Sequence, residues 1–106
     1  MADIRQARKA LTSRILEGDG NASPSDRKAA FNNNGLAEPL GPLVDKVARH
    51  AYLVTEEDFV AARESGHSED QIFEILVCAA IGEASRQYDT ALAALETATR
   101  NVTRKE

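Results

Sequence analysis

Ser68-Glu69-Asp70-Gln71-Ile72-Phe73-Glu74-Ile75-Leu76-Val77-Cys78-Ala79-Ala80-Ile81-Gly82 begins with polar capping residues and then turns almost wholly apolar. Ser68 can offer its hydroxyl to the amide of Gln71 while the Gln71 side chain returns to the Ser68 amide, so two donors left open at a helix start are satisfied together. No alternation of apolar and polar residues follows, which argues against a half-buried strand. A helix that is apolar on every side has to be wrapped by neighbours, so the segment predicts a central, enclosed helix. The helical spacing continues past Gly82, where Tyr88, Ala91, Leu92 and Leu95 recur among Glu83, Arg86, Gln87, Asp89 and Glu96. This long helix is expected to run from 69 to about 98, its first half central and its second half peripheral. Residues 100–106 are charged and poor in apolar side chains, and read as a frayed tail.

Upstream, Ile4, Ala7, Leu11 and Ile15 form one stripe at helical period, predicting a first helix from about Ala2 to Glu17 that ends at Gly18-Asp19-Gly20-Asn21. Ser23-Pro24-Ser25-Asp26 supplies a cap, a proline at the first helical position and an acid three residues after the cap. The short second helix it starts should close at Asn32-Asn33-Asn34-Gly35, since Asn and Gly tolerate the left-handed conformation. Pro39 and Pro42 flank the start of a third helix, in which Leu40, Leu43, Val44, Val47, Ala51 and Val54 share one broad face. Thr55-Glu56-Glu57-Asp58 caps a short fourth helix that stops at Gly66. The expected fold is all-α: one domain over 1–106, about five helices, an antiparallel helical bundle around a long central C-terminal helix.

Composition bounds the function more than it defines it. At 106 residues, 42% of them hydrophobic, the chain suits one core without metal or disulfide support. The net charge is -4 and uneven: residues 1–31 hold six Lys/Arg against four Asp/Glu, and residues 32–106 hold seven against thirteen. A phosphate-backbone binder needs a basic footprint, so no nucleic-acid partner is expected. No segment approaches the roughly 20 apolar residues of a membrane span, and the N-terminus lacks the apolar core of a signal peptide, so neither membrane nor secretion is expected. A lone cysteine suits a reducing compartment, and the reading is a cytoplasmic protein. Asn101-Val102-Thr103 matches a glycosylation sequon only in the wrong context. Phosphate-cradling glycine loops, Gly-x-Ser-x-Gly elbows and His-Glu-x-x-His motifs are missing, and no cofactor is expected.

Three stretches carry a family resemblance: Gly66-His67-Ser68-Glu69-Asp70-Gln71-Ile72-Phe73-Glu74, then Ala79-Ala80-Ile81-Gly82, then Tyr88-Asp89-Thr90-Ala91-Leu92-Ala93-Ala94-Leu95-Glu96. Over about residues 39–98 the chain resembles the alkylhydroperoxidase D-like, or carboxymuconolactone decarboxylase-like, superfamily, in which a Gly-x-Ser/Thr turn starts a long central helix. The resemblance implies an all-helical fold assembled into dimers, trimers or hexamers. It also implies where active members keep their chemistry, a Cys-x-x-Cys with a following His on the helix before that turn and a Glu upstream. Here His50 and Leu53 stand where the cysteines would be and Glu57 where the His would be, so no redox role carries over.

The remaining candidates are few. Cys78 sits among Leu76, Val77, Ala79 and Ala80 and reads as an inert core thiol, since a reactive one needs exposure and a nearby cation or helix N-terminus. His50 lies on the Leu43, Val47, Val54 stripe and reads as a core or interface histidine, or else as a general acid/base. His67 precedes the cap and should be solvated. Glu83 follows the Ile72, Leu76, Ala79 stripe, with Arg86 three residues on to pair with it. Gly82 should permit close approach of another helix. Glu56-Glu57-Asp58 is explained by the helix dipole without a metal, and no metal ligand set is expected.

Two functions therefore compete. The first is a non-catalytic structural or interaction protein that forms a homo-oligomer through apolar helix faces. The alternative is a thiol-independent, decarboxylase-like enzyme on a small acidic or lactone substrate, with His50 and either Glu83 or Glu57 moving protons and Arg86 holding a carboxylate. A weaker third option is a thiol peroxidase based on Cys78.

Overall fold

The computed structural model describes the backbone of residues 2–105 and the side chains of residues 3–101. Within them lie five α-helices and no strand: α1 Ala2–Glu17, α2 Pro24–Asn32, α3 Leu40–Arg49, α4 Glu56–Glu64 and α5 Glu69–Lys105, with a 3-10 turn at Ala51–Leu53 between α3 and α4.

The helix starts follow local chemistry. Ser23 accepts the Asp26 amide at 3.1 Å with Pro24 at the first position of α2, and Asn33, left-handed at φ 51°, closes that helix. Thr55 and Asp58 make a reciprocal capping box at α4. Before α5, Gly66 adopts φ 106°, a conformation costly for any residue with a Cβ. The chain then reaches Ser68, whose hydroxyl accepts the Gln71 amide at 3.1 Å while Gln71 Oε1 accepts the Ser68 amide at 2.9 Å.

Two helices end elsewhere than their patterns predict. The third stops at Arg49, so the stripe of Leu43 and Val47 does not extend to His50 and Val54. His50 leaves the helix at φ -145°, and Val54 is extended, because the chain must be extended at Thr55 to form the next cap. In the other direction, α5 stays helical to Lys105, past the expected end near Ala98 and through most of the expected frayed tail; Glu106 lies outside the described residues. No Gly or Pro occurs after Gly82 to interrupt it. The hydroxyls of Thr90 and Thr97 also fold back, each donating at 3.0 Å to the carbonyl four residues earlier. A 37-residue helix is about 55 Å long, which accounts for overall dimensions of 61 × 29 × 19 Å.

The core is small. Leu43 and Val44 of α3 meet Ile72, Ile75, Cys78 and Ala79 of α5, with Ala30 of α2 and Ala62 of α4 filling the gaps. Helix α2 runs alongside α5 in the same direction, from Ala22 near Glu74 to Phe31 near Gly82 and Arg86. Helix α1 runs against α5: the Ile15 carbonyl lies at Cys78, and Arg8 pairs with Asp89 at 2.7 Å with its guanidinium 5.0 Å above the Tyr88 ring. Only the last turn of α1 joins the core, through Ile15 and Leu16. Ile4 and Leu11, further back on the same apolar stripe, are 54% and 44% exposed.

The largest departure concerns α5 itself. It is enclosed on one side only. Ile72, Ile75, Cys78, Ala79 and Gly82 are buried, while Phe73 on the opposite face is 69% exposed and Ala80 is exposed. Four short helices cannot surround a rod of this length, so the apolar run is divided between a covered and an open face.

Candidate functional site

The open face borders a groove. Phe59 and Val60 of α4 form one wall; Phe73, Leu76, Val77 and Ala80 of α5 form the other, around about 790 Å³. Helices α4 and α5 are antiparallel here, tied by the Arg63–Glu69 ion pair at 3.1 Å, so alternate turns of each present side chains to the same trough. Charge is confined to the rim, at Glu56, Arg63, Glu69 and Asp70. Phe59 and Val60 are 38% and 47% exposed, so covering what remains of one such side chain contributes somewhat under half of the roughly 1.5–3 kcal/mol of a full burial. Contiguous apolar surface rimmed by polar groups is the physical signature of an interaction site.

The expected site residues are only partly brought together. Glu83 and Arg86 do pair: Arg86 Nη2 and Nε donate to Glu83 Oε2 at 2.9 and 3.3 Å, and Nη1 donates to the Phe31 carbonyl at 2.6 Å. The Arg86 guanidinium holds the Glu83 carboxyl below its usual range, which suits an ion pair and disfavours a proton donor near neutrality. With its hydrogen bonds committed to Glu83 and Phe31, Arg86 works as a brace between α5 and α2. His50 is not on a core stripe. It is exposed at the end of α3, with its ring edge-on to Tyr52 at 6.0 Å. Among the described residues no hydrogen bond joins His50 to Glu83 or to Glu57, and Glu57 is exposed on the first turn of α4. A shallow depression beside Glu83 and Arg86 is lined by Arg49, Gln87, Thr90, Ala91 and Ala94.

Cys78 is 1% exposed, and its thiol donates weakly to the Ile15 carbonyl at 3.5 Å. Burial pushes its pKa up, against a smaller opposing effect of the Arg27 charge. His67, expected in solvent, is half-buried beside Gln71 and the loop between α1 and α2.

Two structural residues escaped the sequence analysis. Arg27 is 5% exposed and donates through Nη1 to the Gly18 and Ile15 carbonyls at 2.7 and 3.2 Å, closing the end of α1. Its only advance sign was a place on the same side of α2 as Ala30 and Phe31. Glu74 accepts the Asn21 and Ala22 amides; the clue was a single acid inside an otherwise apolar run. Among the described residues, no three His, Cys, Asp or Glu side chains converge as a metal site, and no helix is long and apolar enough to cross a membrane.

No family model, curated protein or solved structure matches this chain. The fold and the groove define a class only: a small all-α protein with an open apolar helix face.

Proposed function

We propose that this chain is a non-catalytic interaction protein that works as a homo-oligomer in the cytoplasm, a helical relative of the alkylhydroperoxidase D-like superfamily without the dithiol. The observation that carries the reading is the uncovered groove of Phe59, Val60, Phe73 and Val77, which no described segment of the chain fills. Kinship is supported by the Gly66-x-Ser68 turn and its reciprocal cap. A scaffold rather than a reactor is supported by the buried Cys78 thiol and by the exposure of His50, which no hydrogen bond among the described residues joins to Glu83 or Glu57.

Sedimentation equilibrium and light scattering test the proposal. The expected result is a particle whose mass is a multiple of 11.5 kDa, reduced to a single copy by Phe73→Glu with helix content retained. An 11.5 kDa particle at every concentration overturns the reading.

A further inference from the structure

We infer that Asn34 is a self-modifying site: its side-chain amide closes on the backbone nitrogen of Gly35, loses ammonia and is converted by water to aspartate and isoaspartate.

The reaction needs an asparagine whose following backbone amide is free to attack, and it is eased where the following residue has no side chain in the way. The chain holds five asparagines, and folding leaves one such amide open. After Asn21, the Ala22 amide donates to the Glu74 carboxylate at 2.8 Å. After Asn32 and Asn33, the Asn33 and Asn34 amides donate to the Ala30 and Ala29 carbonyls, each at 3.0 Å, as they close α2. After Asn101 the next residue continues α5, where backbone amides serve the helix ladder. Asn34 alone is followed by glycine. Among the described residues no group accepts a hydrogen bond from the Gly35 amide, and Asn34 and Gly35 are both exposed outside any helix. Gly35 holds φ 101°, and a Cβ built on it would find only the Ala29 methyl, at 3.8 Å. Neither a side chain of its own nor a close neighbour therefore crowds the approach. Asp19-Gly20 could close the same ring, but Gly20 is pressed against the Glu74 carboxylate, and reaction there changes no mass.

The atoms balance with no change of oxidation state. The Gly35 nitrogen forms a bond to Asn34 Cγ, the Cγ–Nδ2 bond breaks, and ammonia leaves with the proton of the Gly35 amide. Water then opens the ring. Attack at Cγ restores the original main chain with an aspartate side chain, whereas attack at the main-chain carbonyl carbon of residue 34 leaves Gly35 joined through Cγ, which is isoaspartate and lengthens the main chain by one carbon. Either product puts a carboxylate at the negative end of the α2 dipole, where the last turn holds no basic side chain. Asp45 is already there, accepting from Asn33 Nδ2 at 2.9 Å. The isoaspartate form also displaces Leu36, which packs against the core.

The test is incubation of the full folded chain at physiological temperature and mildly alkaline pH, beside the same chain in urea, followed by peptide mapping with mass spectrometry. The expected result is a gain of about one dalton, confined to the peptide that holds Asn34 and divided between aspartate and isoaspartate. Because the site needs little local opening, its rate in the folded chain should lie within about tenfold of the rate in urea. Asn34→Gln, whose longer side chain disfavours the ring, should keep its helix content and show no gain. The converted fraction, separated by ion exchange, should melt a few degrees below the unconverted chain. Slower conversion than this in the folded chain, or an equal gain at Asn21, Asn32 or Asn33, overturns the inference. A gain that persists in Asn34→Gln does the same. A converted fraction as stable as its parent overturns the stated cost to α2.

Discussion

The Glu74 carboxylate accepts the backbone amide of Ala22 at 2.8 Å, and its two oxygens each take the Asn21 amide at 2.9 Å. One side chain of α5 thereby satisfies the loop between α1 and α2, joining residues that lie more than fifty positions apart. Charge-assisted bonds of this kind are worth about 1.5–3 kcal/mol, and losing them also leaves amides unpaired. Glu74→Ala should lower stability by about 2–3 kcal/mol and Glu74→Gln by about half as much, because the amide keeps one acceptor oxygen. Urea denaturation followed by circular dichroism measures both, and equal midpoints for wild type and Glu74→Ala would refute the role.

Gly82→Ala sets two effects against each other. Alanine gains about 1 kcal/mol over glycine inside a helix, but a Cβ at position 82 meets the Phe31 carbonyl, a backbone atom that cannot swing away. Overpacking of this kind costs about 1–3 kcal/mol or more. The variant should be net destabilised, with Tm lower by roughly 5–15 °C for a chain of this size. A rise in Tm would mean that α2 does not press on α5 there.

Acid should weaken the junction of α3 and α4 through Asp58. The Thr55 amide and the Lys46 ammonium, 3.0 Å away, hold this carboxyl below its ordinary value of 3.8. A folded-state pKa below the unfolded one contributes stability that is present above pH 3.8 and lost as pH falls through the folded value. Asp58→Asn should therefore be less stable than wild type at neutral pH, with the gap closing in acid. Guanidine midpoints measured across pH give the comparison, and a gap that widens in acid would contradict the assignment.

Cys78 should resist alkylation in the folded protein and react fully in denaturant, since its thiol is 1% exposed and burial raises its pKa. Mass spectrometry after iodoacetamide treatment reads the outcome. Prompt modification under native conditions would return Cys78 to the candidates for redox chemistry.

His50→Ala should leave stability within about 0.5 kcal/mol of wild type, as expected for an exposed side chain outside any hydrogen-bond network. A large loss would show that His50 is a core or interface residue after all.

Much of the fold was legible because it is local. The caps at Ser23, Thr55 and Ser68 act on amides three residues away, so their residue types alone announce where α2, α4 and α5 begin. The end of α3 was not legible in the same way: Ala51 and Val54 keep the apolar spacing, but extending the chain to Thr55 overrides it. The Glu83–Arg86 pair was visible at its helical spacing, whereas the anchors made by Arg27 and Glu74 depend on chain segments that only folding brings near.

Sequence alone determined that this protein is helical, where most of its helices start, and that α5 is its axis, because capping and periodicity are properties of neighbours in the chain. Which face of α5 lies covered was decided by tertiary structure. An apolar run between residues 75 and 82 has no polar side to orient it, so the sides occupied by α1, α2 and α3 determine which residues enter the core and leave Phe73 and Ala80 facing outward.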